Sequence, residues 1–329
     1  MYPYITFLIS AIIVYCIAPI VIPLLRRLKF GQTIYKLGPQ SHQSKQGTPT
    51  MAGLMFAFST VIATLLISVI MGKWHSNQLA LILVSLASMA VGFLDDYIKI
   101  VKKRNLGLIW WQKIIGQVVV SVGFSLYCYS SSEIGSSILI PFTNHFLELG
   151  IFYIPIMSIF MIFMINSTNL QDGLDGILST VTVIGSLTFF VITVLFKSVF
   201  EFTDLFSISV FAMALCGGCF AFLRFNRYPA KVFMGDTGSM FIGGAMVGLS
   251  MVLRLPIFLL LICITPLMSS LSVIIQRIYF KITHGKRIFK MSPIHHHFEL
   301  SGMNENQIVR MYAIITVIGC AIAVMAIVK

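Results

Sequence analysis

The sequence predicts an all-α integral membrane protein that crosses the bilayer about ten times, and three observations carry that prediction. Charged residues make up only 10% of the 329 and hydrophobic ones 57%, where a soluble globular chain has about 25% charged. Apolar runs of roughly span length recur from one end to the other. The basic residues between them fall on alternate segments, as expected for helices oriented in a bilayer. A chain this poor in charge cannot coat a water-facing surface, and disorder is excluded on the same ground.

A span needs about 20 mostly apolar residues, and ten candidates lie at roughly 4–25, 51–72, 78–94, 113–130, 151–166, 177–196, 205–223, 240–255, 256–280 and 308–328. Together they read as one transmembrane helical domain over 1–329. The first is not a cleavable signal, because no basic residue precedes it and Arg26 and Arg27 follow it. The segment 131–150, with Ser131, Gly135, Ser136 and Pro141, reads as a short hairpin or loop outside. In 256–280, Pro266 removes a backbone donor and is expected to kink the helix. Such a bend could open a lateral groove for a lipid chain or serve packing against another span. The six cysteines all lie in apolar stretches and read as structural. Cys216-Gly-Gly-Cys219 has redox-like spacing but sits within one span.

The order of charges around the first span places the N-terminus outside, and alternation of spans then assigns each loop. On that assignment nineteen of the 23 basic residues are cytoplasmic, leaving Lys73, Lys197, Arg254 and Lys329 outside. Both termini are then outside. The net charge of +12 is spread over these loops and not gathered in one patch, so nucleic acid is not the expected partner.

Acid is scarce, and its placement is informative. Five of the six aspartates lie on the basic face: Asp95, Asp96, Asp172, Asp175 and Asp236. They sit at the inner ends of three spans, each in a polar, glycine-bearing context. Ionised groups near a membrane are costly and tend to be functional. Adjacent carboxylates such as Asp95-Asp96 repel, so Lys99 one turn on, or a hard divalent cation, is expected as counter-charge. Magnesium takes carboxylate oxygens together with substrate phosphates, and the surrounding basic residues suit an anionic substrate. Asn226-Arg-Tyr-Pro-Ala could form a backbone-rich pocket, with Phe233 available to stack on a base. His295-His296-His297 could ligate a metal, but neighbours on a helix point in different directions, so a polar loop that hydrogen-bonds phosphate or sugar is the favoured reading.

These stretches resemble a known family. Asp95-Asp96-Tyr97, Asn169-Leu-Gln-Asp172-Gly-Leu-Asp175-Gly176, Asn226-Arg-Tyr-Pro-Ala-Lys-Val-Phe233-Met-Gly-Asp236-Thr-Gly and Ser292-Pro-Ile-His295-His296-His297-Phe-Glu299 are similar to the motifs of the polyprenyl-phosphate N-acetylhexosamine-1-phosphate transferases. The His triplet, with Gly47-Thr-Pro-Thr50-Met, is most similar to the branch that uses a muramoyl-pentapeptide donor. The resemblance spans essentially the whole chain. It implies a homodimeric enzyme of the bacterial cytoplasmic membrane, with its site on the cytoplasmic face. That enzyme would move phospho-MurNAc-pentapeptide from UDP-MurNAc-pentapeptide to undecaprenyl phosphate, giving lipid I and UMP for peptidoglycan, with Mg2+.

By motif position the resemblance also assigns roles. Asp236 is implied as the magnesium ligand, Asp95 and Asp96 as paired catalytic carboxylates, and His295 as a further catalytic residue. Asp172, Asp175, Asn226, Phe233, His296 and His297 are implied as donor-binding, with Lys45, Thr50 and Gln276 carried over beside them. A sister enzyme using UDP-GlcNAc and a secondary transporter are the competing readings. Transporters place polar groups near the bilayer midplane, whereas these acidic clusters lie at span ends. The topology makes a prediction: a thiol introduced near Gly302, in a chain freed of native cysteines, stays unlabelled by an impermeant reagent in intact cells. Labelling there would contradict the assignment of sides.

Overall fold

The computed structural model describes residues 1–27, 45, 47–102, 107–200 and 204–327. The basic residues Lys29, Lys36, Lys103, Arg104 and Lys329 lie outside the described residues. The chain forms α1 (Tyr2–Arg27), α2 (Gly53–Met71), α3 (Ser76–Val101) and α4 (Trp110–Ser130). A two-stranded hairpin follows, β1 (Ser137–Leu139) antiparallel to β2 (Phe146–Glu148), with Ile138 opposite Leu147. Then come α5 (Tyr153–Gln171), α6 (Ile177–Leu195), α7 (Leu205–Asn226), α8 (Gly235–Val252), α9 (Pro256–Ile262), α10 (Ile264–Ile282), α11 (Ile294–Glu299) and α12 (Glu305–Met325).

Eight of these helices are each long and apolar enough to cross a membrane, and α9 with α10 makes a ninth if counted as one broken span. The tenth expected span is α8. Its first turn is polar, and every residue from Thr237 to Val252 is buried. A helix wholly inside the bundle does not need the hydropathy of a lipid-facing one. Around it pack α2, α3, α5, α6 and α9, while α7 packs against α1, α2 and α6. The expected bend in 256–280 is present but lies at Cys263, where α9 and α10 diverge by 86°. Pro266, in the first turn of α10, has no N–H to offer the carbonyl of Ile262 four residues back, so the helix cannot run through the junction.

The hairpin over 131–150 is tied to the bundle end: Leu139 N–H donates to Arg254 O at 2.8 Å and Phe142 N–H to Ala326 O at 2.7 Å. All six cysteines are free. Five are buried, and Cys16 is exposed on α1.

Small residues decide how closely helices approach inside a membrane, where apolar packing alone gives no preference between partners. The tightest such place is Gly92 on α3. A Cβ there would collide with the backbone carbonyl of Asp236 at the start of α8. That contact sets two acidic segments face to face. Overpacking a site of this kind costs about 1–3 kcal/mol, so Gly92→Ala is expected to lower the thermal unfolding midpoint. Gly123→Ala, at an exposed position with open space around its Cβ, should leave the midpoint unchanged or raise it. Equal midpoints for the two variants would contradict the packing account.

Candidate active site

The last turns of α3 and α5 and the first turns of α8 and α12 meet at one end of the bundle. Asp95 and Asp96 are adjacent on α3 and both 4% exposed, and α8 is what accommodates the pair. Asp96 turns to α8, where its Oδ2 accepts the Thr237 N–H at 2.8 Å and the Thr237 hydroxyl at 2.7 Å. Asp95 turns to the α3–α4 connection and accepts the Leu108 N–H at 2.9 Å. Gly235, at φ +70, lets the chain enter α8 directly over Asp96 and Thr50, where a Cβ would stand 2.5 Å from the Asp96 carboxylate.

Carboxylate oxygens of Asp95, Asp96 and Asp236 all lie within 4.8 Å of one another. Two lysines hold them there. Lys99 Nζ is 2.5 Å from Asp95, 3.6 Å from Asp96 and 3.0 Å from Asp236. Lys113 Nζ, from α4, is 2.9 Å from Asp236. Asn169 of α5 donates to the other Asp236 oxygen at 2.8 Å and to Ser239 Oγ at 2.8 Å. Three carboxylates against two ammonium groups leave one negative charge uncompensated. An all-oxygen donor set with residual negative charge suits a hard divalent cation, so these residues fit a magnesium-type ion.

A second cluster lies beside the first. Lys45 Nζ bridges Asp175 and Glu305 at 2.7 Å each. Glu305 also accepts the Asp175 N–H at 3.0 Å, and Asp175 accepts the Ala230 N–H at 2.8 Å. Half-buried Phe233 is held by backbone bonds to the segment before α2: its N–H donates to Pro49 O at 2.8 Å, and its carbonyl accepts the Ala52 N–H at 3.0 Å. Asn226 braces a loop. It accepts from Ser179 at 3.0 Å and donates to Val232 O at 3.0 Å, which closes the loop that carries Phe233.

Gln276 is likewise engaged with a loop and not with open space. Its amide donates to Phe289 O at 2.9 Å and accepts the N–H groups of Ile288 and Phe289 at 3.1 and 3.0 Å. It braces the basic loop that leads to the histidines. The three histidines fall on the short α11 and take different partners, although the His295 and His296 rings meet edge to face at 4.3 Å. His295 is buried, with its ring packed on Gly173; His296 pairs with Glu299 at 3.2 Å; His297 accepts the Lys290 N–H at 3.1 Å.

Sequence reasoning gave no role to four residues that the geometry puts in these clusters: Lys113, Asn169, Thr237 and Glu305. Asn169 and Thr237 stood inside quoted motifs. Glu305 follows an N-cap signature that was legible, since Asn304 and Gln307 satisfy each other's backbone N–H at 2.9 Å. Lys113 looked like one more loop charge.

The fold and site define a polytopic helical bundle with an aspartate centre, compensated by lysines, at one end. The family model for glycosyl transferase family 4 matches residues 78–254, just over half of the chain. Relatives named phospho-N-acetylmuramoyl-pentapeptide-transferase include those of Clostridium botulinum (strain Alaska E43 / Type E3), 46% identical over 94% of this chain and 92% of the relative, and Clostridium beijerinckii, 47% identical over 94% and 92%. That of Clostridioides difficile (strain 630) is 45% identical over 98% and 97%. The chain belongs to this transferase family.

Asp172, half-buried at the end of α5, lies between the two clusters. Burial pushes its carboxyl well above the ordinary carboxylate range, and the negative charges of Asp236, Asp96 and Asp175 push the same way. The folded protein therefore keeps a proton that the unfolded chain releases near pH 3.9, and this site costs stability increasingly as pH rises above that value. Asp172→Asn is expected to raise the thermal midpoint at neutral pH, with the gain shrinking towards about pH 4. A gain that did not change with pH would contradict the buried, protonated assignment.

Proposed function

We propose that this site transfers phospho-N-acetylmuramoyl-pentapeptide from UDP-MurNAc-pentapeptide to undecaprenyl phosphate, releasing UMP and leaving lipid I in the membrane. The observation that carries the reading is the convergence of Asp95, Asp96 and Asp236 on Lys99 beside the separate Lys45–Asp175–Glu305 cluster. One centre suits the reacting phosphates and the other the nucleotide. The printed names of the relatives specify the muramoyl-pentapeptide donor and favour it over UDP-GlcNAc. A transporter reading has no comparable support.

Phosphoryl transfer is dominated by positioning and by stabilising charge. Asp236, with Asp95 and Asp96, would hold Mg2+. When bound, the ion would neutralise diphosphate charge and ease departure of the nucleotide. Lys99 and Lys113 supply positive charge at the same place and can follow the phosphates as they load. Whichever of Asp95 and Asp96 is not engaged by the ion would take the proton of the incoming lipid phosphate. Phe233 offers a ring for the uracil to stack on, and its backbone ties to Pro49 and Ala52 keep that ring in place. His296 and His297, with Lys290 nearby, suit hydrogen bonds to the donor's phosphate or sugar side, with His295 buried behind them against Gly173; Thr50 and Lys45 would contribute to donor binding from the segment before α2. The enzyme would work as a homodimer in the bacterial cytoplasmic membrane, with this site facing the cytoplasm and both termini outside.

The test is a radiolabelled transfer assay with undecaprenyl phosphate and either donor. The muramoyl-pentapeptide donor should be used and UDP-GlcNAc should not, and magnesium chelation should stop the reaction. Asp236→Asn keeps the shape and removes the charge. It should slow turnover by at least about a hundredfold, each 1.36 kcal/mol of barrier being about tenfold. Phe233→Ala should raise the donor KM by about tenfold, in line with roughly 1–3 kcal/mol for a lost base stack. Near-normal turnover by Asp236→Asn in magnesium would sink the metal assignment.

A further inference from the structure

Lys113 reaches Asp236 from α4, a helix that buries little of its surface in the bundle. Only 28% of the span window on α4 is buried, and its partners are α5 and α3. Its five buried residues are Gln117, Ser121, Phe124, Ser125 and Cys128, so the face turned inward is largely polar. Against α5 this face forms a ladder. Lys113 Nζ meets Asn169 Oδ1 at 3.3 Å, Gln117 and Asn166 exchange amide bonds at 2.8 and 3.2 Å, and the hydroxyls of Ser158 and Ser125 meet at 3.2 Å. The rungs advance along α4 as they retreat along α5, which is the pattern of one register kept by two antiparallel helices.

The middle rung differs in kind from the others. Hydroxyls can rotate and a lysine can reach, but both N–H groups of the Asn166 amide are committed. Its two N–H groups go to Gln117 Oε1 and to its own Ile162 carbonyl at 2.7 Å, and its oxygen accepts from Gln117. Sliding or rotating α4 would leave these amides unsatisfied away from water, a costly state. Helices in lipid gain no hydrophobic preference for a particular register, so polar pairs and close packing decide it.

We infer that the Gln117–Asn166 amide pair is a positioning element that holds Lys113, one turn away on α4, at Asp236 in the reacting centre. This rests on the function proposed above. Gln117 and Asn166 touch no reacting group and act through the register of α4, which makes them positioning residues and not catalytic ones.

The experiment compares wild type, Gln117→Leu, Asn166→Leu and the exchanged pair Gln117→Asn/Asn166→Gln in the radiolabelled transfer assay, together with thermal midpoints in detergent. Each leucine variant should lose about tenfold in kcat (~1.4 kcal/mol of barrier), with donor KM within about twofold of wild type. The exchanged pair keeps the combined side-chain length and both hydrogen bonds, and should recover most of the lost kcat. Wild-type kcat in Gln117→Leu would overturn the inference. So would a loss that tracks a lowered thermal midpoint and a raised KM and is not recovered by the exchange. Absence of transfer by the wild-type protein is a different result: it defeats the proposed function first, and this inference with it.

Discussion

The close approach of α3 to α8 is the constraint on which the rest of this structure depends. It places a polar helix start inside an apolar bundle and brings Asp236 within reach of Asp95 and Asp96. Like charges at that separation repel strongly where water is scarce. The arrangement therefore needs positive charge, and Lys99 and Lys113 supply it from two different helices. Thr237 and Leu108 complete the carboxylates' hydrogen bonding from either side. Removing any one of these partners leaves a buried charge without compensation, which costs more than the pair itself contributes.

The same logic explains why α8 is buried on all sides although one end is polar. A lipid-facing helix could not carry Asp236 in its first turn without contacting hydrocarbon there. Surrounded by α2, α3, α5, α6 and α9, it exposes none of Thr237–Val252 and opens only at the polar end. The bend between α9 and α10 and the loop braced by Gln276 then bring α11 and its histidines to that end, where His295 packs on Gly173 beside Asp172.

Much of this was legible in the sequence because membrane burial leaves a strong compositional mark. The scarcity of acid made Asp95, Asp96, Asp172, Asp175 and Asp236 stand out, and Lys99 was expected as the counter-charge that the structure shows. The hairpin and the break near Pro266 were also readable, although the break falls at Cys263. What was not legible depends on which helices become neighbours. Lys113 resembled an ordinary loop lysine until α4 packed on α5, and Glu305 belongs to the nucleotide-side cluster only because α12 begins beside Asp175. Asn226 and Gln276 were assigned to donor binding by resemblance, and the loops that their amides close depend on which helices become neighbours.

The central claim is that the three aspartates form one cation site created by helix packing, and metal binding tests it more directly than turnover does. Manganese substitutes for magnesium at oxygen sites and is visible by electron paramagnetic resonance. Titrating purified wild-type protein should give one bound manganese per chain, displaced by magnesium. That signal should disappear in Asp236→Asn and weaken in Gly92→Ala, where the ligands are intact but their helices are forced apart. A bound ion that persists unchanged in both variants would place the metal elsewhere and contradict the account.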